Sequence, residues 1–230
     1  MSEHTPAAPM SDRTRIRRIP ELGSYDRSTI DAILDAGIFA HLGFVQDGQP
    51  FVIPTLHARI DDLLYVHGSA ASRTLKTVAE GVRVCVTITL LDGIVLARSI
   101  FEHSIDYRSV VVLGTATPVD DPEEKLASLH AFSEQVLPGR WADSREPTEK
   151  ELKATTILRL PLTEASAKIS SGPPEDAEAD GHLDVWAGNL PFVVKALEPI
   201  PDPALRPGIP VPEYLTSYVR DGMTTPPDYP

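Results

Sequence analysis

The chain has 230 residues and a mass of 25.0 kDa, which suits one well-buried domain with peripheral segments. Hydrophobic residues make up 42% and charged residues 23%, the balance of an ordinary globular protein, and the net charge of −12 repels nucleic acid and anionic membrane surfaces. Cys85 is the only cysteine and no run of about 18 apolar residues occurs, so an intrachain disulfide, cysteine-bound zinc and a membrane-spanning helix are excluded and a cytoplasmic location is expected.

In chain order, residues 1–12 are small, polar and proline-containing without period and read as a disordered tail. Asp26 is placed to cap a helix carrying Ile30, Ile33 and Leu34 at helical spacing, with Gly37 where a left-handed C-terminal residue is expected. The period then changes to two. Ile38 to Gln46, Asp47-Gly48 and Gln49 to Ile60 form a hairpin signature, and Leu63 to His67 adds a third strand across a short Asp61-Asp62 link, which predicts an antiparallel meander.

Gly68 to Ser72 breaks that pattern, and Leu75, Val78 and Ala79 suit a short helix. Val82 to Thr89 alternates as a β-branched strand, and Tyr107 to Val119 reads as another. Asp121 and Pro122 open a helix with Leu126, Leu129, Phe132 and Val136, ended by Pro138-Gly139. Thr155 to Leu162 and Glu164 to Ile169 supply at least one more strand, and from Pro191 onward scattered prolines exclude central strand or long helix. The expected domains are therefore a tail over 1–12, one β-rich domain over 13–190, and a proline-rich C-terminal arm over 191–230. A small closed barrel fits, because closure removes sheet edges that would otherwise need protection.

Two segments can carry chemistry. At the start of the short helix, Gly68, Ser69, Ser72, Arg73 and Lys76 combine backbone N–H groups, hydroxyls and cations, a combination suited to a phosphate dianion and equally to an ordinary capped helix with solvated basic residues. In the second segment Arg108 shares a strand face with Val110 and Val112, where a charge needs a ligand phosphate, an internal carboxylate such as Glu102 or Asp106, or an escape to water at the strand end. His67 stands at a strand end beside the first segment, where position alone reads as a histidine bonded to nearby backbone. His41, His57, His103 and His130 have no metal-ligand spacing, and Cys85 in its strand reads as an inert thiol, so no metal site is expected.

Taken together, Ile53-Pro54-Thr55, His67-Gly68-Ser69, Ala71-Ser72-Arg73, Asp92-Gly93, Tyr107-Arg108-Ser109-Val110, Pro138-Gly139-Arg140-Trp141 and Trp186-Ala187-Gly188 resemble the pyridoxamine 5′-phosphate oxidase-like flavin-binding split-barrel family, in its branch related to nitroimidazole-resistance proteins. The resemblance covers roughly residues 15–191. It implies a mainly β fold with flanking helices, a six-stranded antiparallel split β-barrel (the FMN-binding split barrel), and a homodimer with the flavin in a groove between subunits. It further implies FMN, or alternatively FAD or haem, with the phosphate on Ser69, Ser72, Arg73 and Arg108, Lys76 and Gly68 beside it, Ser109 on the second flavin-contacting strand, and Ile53 and Pro54 along the ring. Trp186 closes the site, and His67 faces the ring or the substrate in the catalytic role.

The chain departs from the branch at Glu102 and Asp106 and lacks the arginine-and-histidine grip of true pyridoxamine-phosphate oxidases, so that reaction is not expected. A flavin-dependent oxidoreductase acting on a small molecule is the leading expectation, and a non-catalytic flavin, FAD or haem sensor or carrier is the alternative.

Overall fold

A computed structural model describes residues 7–220 and 222, and in it one antiparallel sheet path folds around a valine-rich core. After β1 (Gly23–Ser24), α1 (Arg27–Ala36) buries Ile30, Ile33, Leu34 and Ala36. Gly37 is not left-handed as expected but extended, with φ −72° and ψ 147°. Glycine is needed there for close approach instead, since a Cβ would lie 2.5 Å from Ile88 Cγ2.

β2 (Phe39–Gln46) and β3 (Gln49–Ile60) pair in full register through Asp47 and Gly48 at φ 52° and 77°, the left-handed pair that a tight hairpin turn needs. β3 then changes partner. Its second half pairs with β4 (Leu63–Ser69), so the expected meander is present and β3 belongs to both walls of the barrel.

α2 (Arg73–Ala79) follows β4 and sends Leu75 and Val78 into the core. β5 (Arg83–Leu96) runs past its expected end at Thr89, because a bulge between Leu91 and Gly93 lets it bend while it keeps pairing with β6 (Ser104–Thr115). The strand expected over Tyr107 to Val119 is interrupted at Ala116, buried where the chain crosses to β7 (Thr117–Pro118) on the other wall.

Asp121 caps α3 (Pro122–Val136) by accepting from the Glu124 N–H, with Pro122 in the first turn as expected. Thr148 and Glu151 form a reciprocal capping box on α4 (Glu149–Ala154), which leads into β8 (Thr155–Pro161) and β9 (Ala165–Ser170). β10 (Gly188–Pro191) returns along β5, and α5 (Glu213–Thr216) lies in the arm.

The strand order is β1-β9-β6-β5-β2-β3-β4-β8-β7, with β10 on β5. Ten strands among the described residues correct the expected six; β1, β7 and β10 are pieces of two to four residues that occupy otherwise unpaired edge groups. The fold is the expected split barrel, mainly β with flanking helices. Its interior is filled from both walls by Leu42, Val86, Ile88, Val110, Val112 and Leu158 under α1 and α2. A second core of Ala58, Tyr65, Val119, Phe132 and Ile157 lies between the outer face of β3, β4 and β8 and helix α3.

Of the expected tail, residues 1–6 lie outside the described residues, and the Ala7 N–H donates to Asp26. Of the expected arm, Asp221 and residues 223–230 lie outside them. No helix among the described residues is long and apolar enough to cross a membrane.

Candidate functional site

The turn between β4 and α2 is a self-capped corner. Ser72 Oγ accepts from the Leu75 N–H at 3.4 Å and Ser69 Oγ accepts from the Ala71 N–H at 3.1 Å, so each hydroxyl keeps its own hydrogen for another acceptor. Gly68 faces Leu75, where a Cβ would lie 3.0 Å from Cδ1. Arg73 and Lys76 are exposed, and among the described residues neither has a carboxylate partner. The Arg73 guanidinium stands 5.2 Å from the Phe51 ring centroid, and Phe51 stacks on Phe44. That places a cation over an aromatic floor at one end of the barrel, electrostatically unspent.

Arg108 is in a different situation. The β5 bulge makes Asp92 the extra residue of its strand, and its buried carboxylate accepts from Arg108 Nε at 2.8 Å and Nη2 at 2.6 Å. The Gly222 carbonyl accepts from the same guanidinium. Arg108 therefore has an internal carboxylate, but it is Asp92 rather than Glu102 or Asp106; Asp106 instead accepts from Asn189 Nδ2 at 2.7 Å. The cleft of about 440 Å³ that Arg108 lines is walled by Ala32, Asp35, Gln135, Tyr218 and Arg220 and does not include Arg73. Within one subunit the two arginines expected on one phosphate do not share a cleft.

His67 also differs from expectation. It lies on the β4 face opposite Gly68, with its ring centroid 4.1 Å from that of Phe132 in α3 and its Nδ1 buried without a hydrogen bond among the described residues. Burial pushes its pKa below the usual histidine value. The ring thus faces the second core, not the Phe51–Arg73 corner, because the two-residue period of β4 sends His67 with Tyr65 and leaves Gly68 with Val66. Tyr65 anchors that core from the same face: its hydroxyl donates to Glu124 at 3.0 Å, and burial together with that bond pushes its pKa up to about 12.

Ile53 and Pro54 are both exposed on β3 and point to opposite faces, Ile53 with Leu42 and Pro54 with His41. Ser109 points away from Arg108 and donates to the Lys168 carbonyl at 3.4 Å. Trp186 is exposed in the loop before β10, its ring folded over Gly188.

Sequence reasoning missed Asp92, whose signal was an Asp-Gly step inside an apolar strand, the mark of a bulge. It also missed how α1 ends. Gln135 Nε2 donates to the Leu34, Asp35 and Gly37 carbonyls at 3.1, 3.1 and 2.7 Å, and Arg220 donates to those of Asp35, Ala36 and Gly37 at 2.9, 2.7 and 2.9 Å. A cation and an amide from distant elements satisfy the orphan carbonyls of that helix end.

The family model described as pyridoxamine 5′-phosphate oxidase matches residues 26–169. No curated protein is significantly similar to the chain. Among solved structures, the flavocytochrome Anf3 from Azotobacter vinelandii is 40% identical, with a TM-score of 0.86 over 91% of this chain and 98% of its own. An FAD and haem binding protein from Mycobacterium smegmatis is 37% identical, with a TM-score of 0.81 over 88% and 97% of the two chains. A putative 5-nitroimidazole antibiotic resistance protein from Bacteroides thetaiotaomicron shares the fold at 18% identity and a TM-score of 0.55, over 64% of this chain and 86% of its own.

Proposed function

The chain belongs to the pyridoxamine 5′-phosphate oxidase family, and from that premise we propose that it is a flavin- and haem-binding redox protein acting as a homodimer. The observation that carries the reading is the reach of the likeness. The family model stops at residue 169, whereas a match over 91% of the chain to a flavocytochrome necessarily includes most of the residues beyond 169. The chain beyond the family model is thus in large part held in common with proteins named for haem as well as flavin.

The flavin is FAD by the likeness to the Mycobacterium smegmatis protein, in place of the FMN expected from the sequence. Arg73 and Lys76 hold its phosphate, since they are exposed cations without a described counter-charge, and Ser69 and Ser72 donate the hydroxyl hydrogens that their capping roles leave free. Phe51 supports the Arg73 guanidinium, and Ile53, on the same face of the same strand, offers apolar contact. Arg108 is left to its internal pair with Asp92. When bound, flavin and haem supply the electron transfer, and the chain supplies binding, orientation and exclusion of water. His67, packed on Phe132, is not assigned a step.

The second subunit covers apolar surface that one chain leaves bare. Ile100 and Phe101 at the tip of the β5–β6 hairpin are 86% and 88% exposed, and Leu197 and Ile200 of the arm 85% and 93%.

Fluorescence titration of the full chain with FAD and with FMN, on a sample sized by sedimentation, tests the reading. We expect a dimer that prefers FAD, and at least a tenfold weaker flavin affinity for Arg73→Ala, about 1.4 kcal/mol or more. Flavin binding unchanged by Arg73→Ala would remove the phosphate assignment, a preference for FMN would replace FAD, and a monomer would remove the shared groove.

A further inference from the structure

The outer face of β2, β3 and β5 is apolar and uncovered. Phe39, His41, Gly43 and Val45 of β2 share it with their cross-strand neighbours Leu56, Pro54, Val52 and Pro50 of β3, and His41 and Gly43 also face Thr87 and Cys85 of β5. Phe39 is 55% and Val52 65% exposed. No acidic residue stands among these positions. Gly43 keeps the middle of the strand flat, and a Cβ there would already lie 3.3 Å from the Cys85 carbonyl oxygen, the kind of strand glycine found where another group approaches closely.

One imidazole rises from this surface. His41 is exposed, its ring meets Phe39 edge-on with centroids 5.6 Å apart, and its nitrogens make no hydrogen bond among the described residues. Other described histidines are engaged. His57 is fully buried and bonded to the Leu34 carbonyl, His67 is packed on Phe132, His103 is bonded to the Ala97 carbonyl, and His182 to that of Ala179. His130 lies edge-on to Trp141 on the exposed side of α3, away from any apolar sheet. The Cys85 thiol on the same face is held protonated by burial, which makes it a poor ligand.

Haem iron is held by an axial protein ligand, of which histidine is one, and its flat macrocycle needs an apolar surface to lie against. The donor set here fits: one free imidazole, no competing carboxylate, and a flat glycine beside it. We infer that His41 is an axial ligand of the haem, on the uncovered sheet face of β2 and β3. The inference rests on the proposed function, since it presumes that haem binds.

Haemin titration of the full chain, followed by the Soret band and by electron paramagnetic resonance, separates the two. Wild type should bind one haem per chain with a histidine-ligated spectrum. His41→Ala should bind at least ~10-fold more weakly, the smallest loss expected when a metal ligand is disturbed even through its outer shell. His41→Gly with added imidazole should regain the wild-type spectrum, and His67→Ala and His130→Ala should keep it. Because His41 is exposed, His41→Ala should retain the wild-type thermal midpoint. Wild-type affinity and spectrum in His41→Ala would overturn the ligand assignment while leaving the haem reading intact; no haem bound by wild type would overturn both.

Discussion

At the corner beside α2, Arg73 extends over Phe51 into solvent with no carboxylate among the described residues; at the cleft beside α1, Arg108 is gripped by Asp92 and covered by the Gly222 carbonyl. The two side chains are chemically identical, and what separates them is how much of the local electrostatic demand the chain itself has met. A satisfied guanidinium contributes to folding and has little left to offer a ligand. An unsatisfied one costs almost nothing on an exposed surface and remains available to an anion.

The strongest way to break that contrast is to remove one half of the satisfied pair. Asp92→Ala leaves Arg108, whose side chain is 21% exposed, without its counter-charge beneath the arm. Its partial exposure puts the expected loss near the lower end for a broken buried pair, about 3 kcal/mol. Thermal unfolding should show a midpoint lowered by roughly 6–12 °C, whereas Arg73→Ala should move it by no more than about 0.5 kcal/mol equivalent. Equal midpoints for the two variants would mean that the pair does not differ in stability from a free cation.

Arg220 is a second satisfied cation, and it holds a connection instead of a strand pair. Its guanidinium ties the arm to the carbonyls ending α1, and Gln135 completes the same cap from α3. Arg220→Ala should cost about 2 kcal/mol, the scale of hydrogen bonds made by a charged group. The loss should be local: hydrogen exchange should quicken across residues 211–219 and the end of α1 and stay unchanged in β5 and β6. Unaltered protection of the arm would show that it is held elsewhere.

These satisfied sites are also where the sequence was hardest to read. The β2–β3 turn was legible because Asp47-Gly48 is a local device, and the start of α3 because Asp121, Pro122 and Glu124 act within one turn. The cap on α1 was not legible, since Gln135 and Arg220 are 98 and 183 residues from Gly37 and no periodicity spans such distances. Locally Gly37 reads as a left-handed terminator, the usual reason for such a glycine; the contact with Ile88 that requires it is tertiary. Arg108 was readable as a cation needing a partner, but its partner depended on a bulge that shifts the register of β5. The Ser69–Lys76 corner was legible as a cluster of donors and cations, and its capping bonds and Phe51 floor came only with the fold.

Two histidines supply the smallest and most specific test, because one is a fully buried base and the other a partly buried one, neither with a counter-charge in contact. His57 bonds to the Leu34 carbonyl through Nε2 and leaves Nδ1 unpartnered among the described residues, as His67 does beneath Phe132. Burial lowers the pKa of both, for His57 against the opposing pull of the Leu34 carbonyl. Each therefore binds fewer protons folded than unfolded, so its contribution to stability is complete well above pH ~6.5 and is lost as pH falls through the unfolded value toward the lowered folded one. Stability should therefore fall between pH 7 and 6, a window in which ordinary surface carboxylates stay ionised. Urea unfolding at the two pH values measures it, and His67→Phe, which keeps an apolar ring against Phe132, should remove the His67 share of the dependence. A stability that is flat across this range, or that rises on acidification, would mean that these rings gain a proton in the fold as readily as in the open chain. The second core around His67 and the end of α1 around His57 would then be wetter than their packing implies.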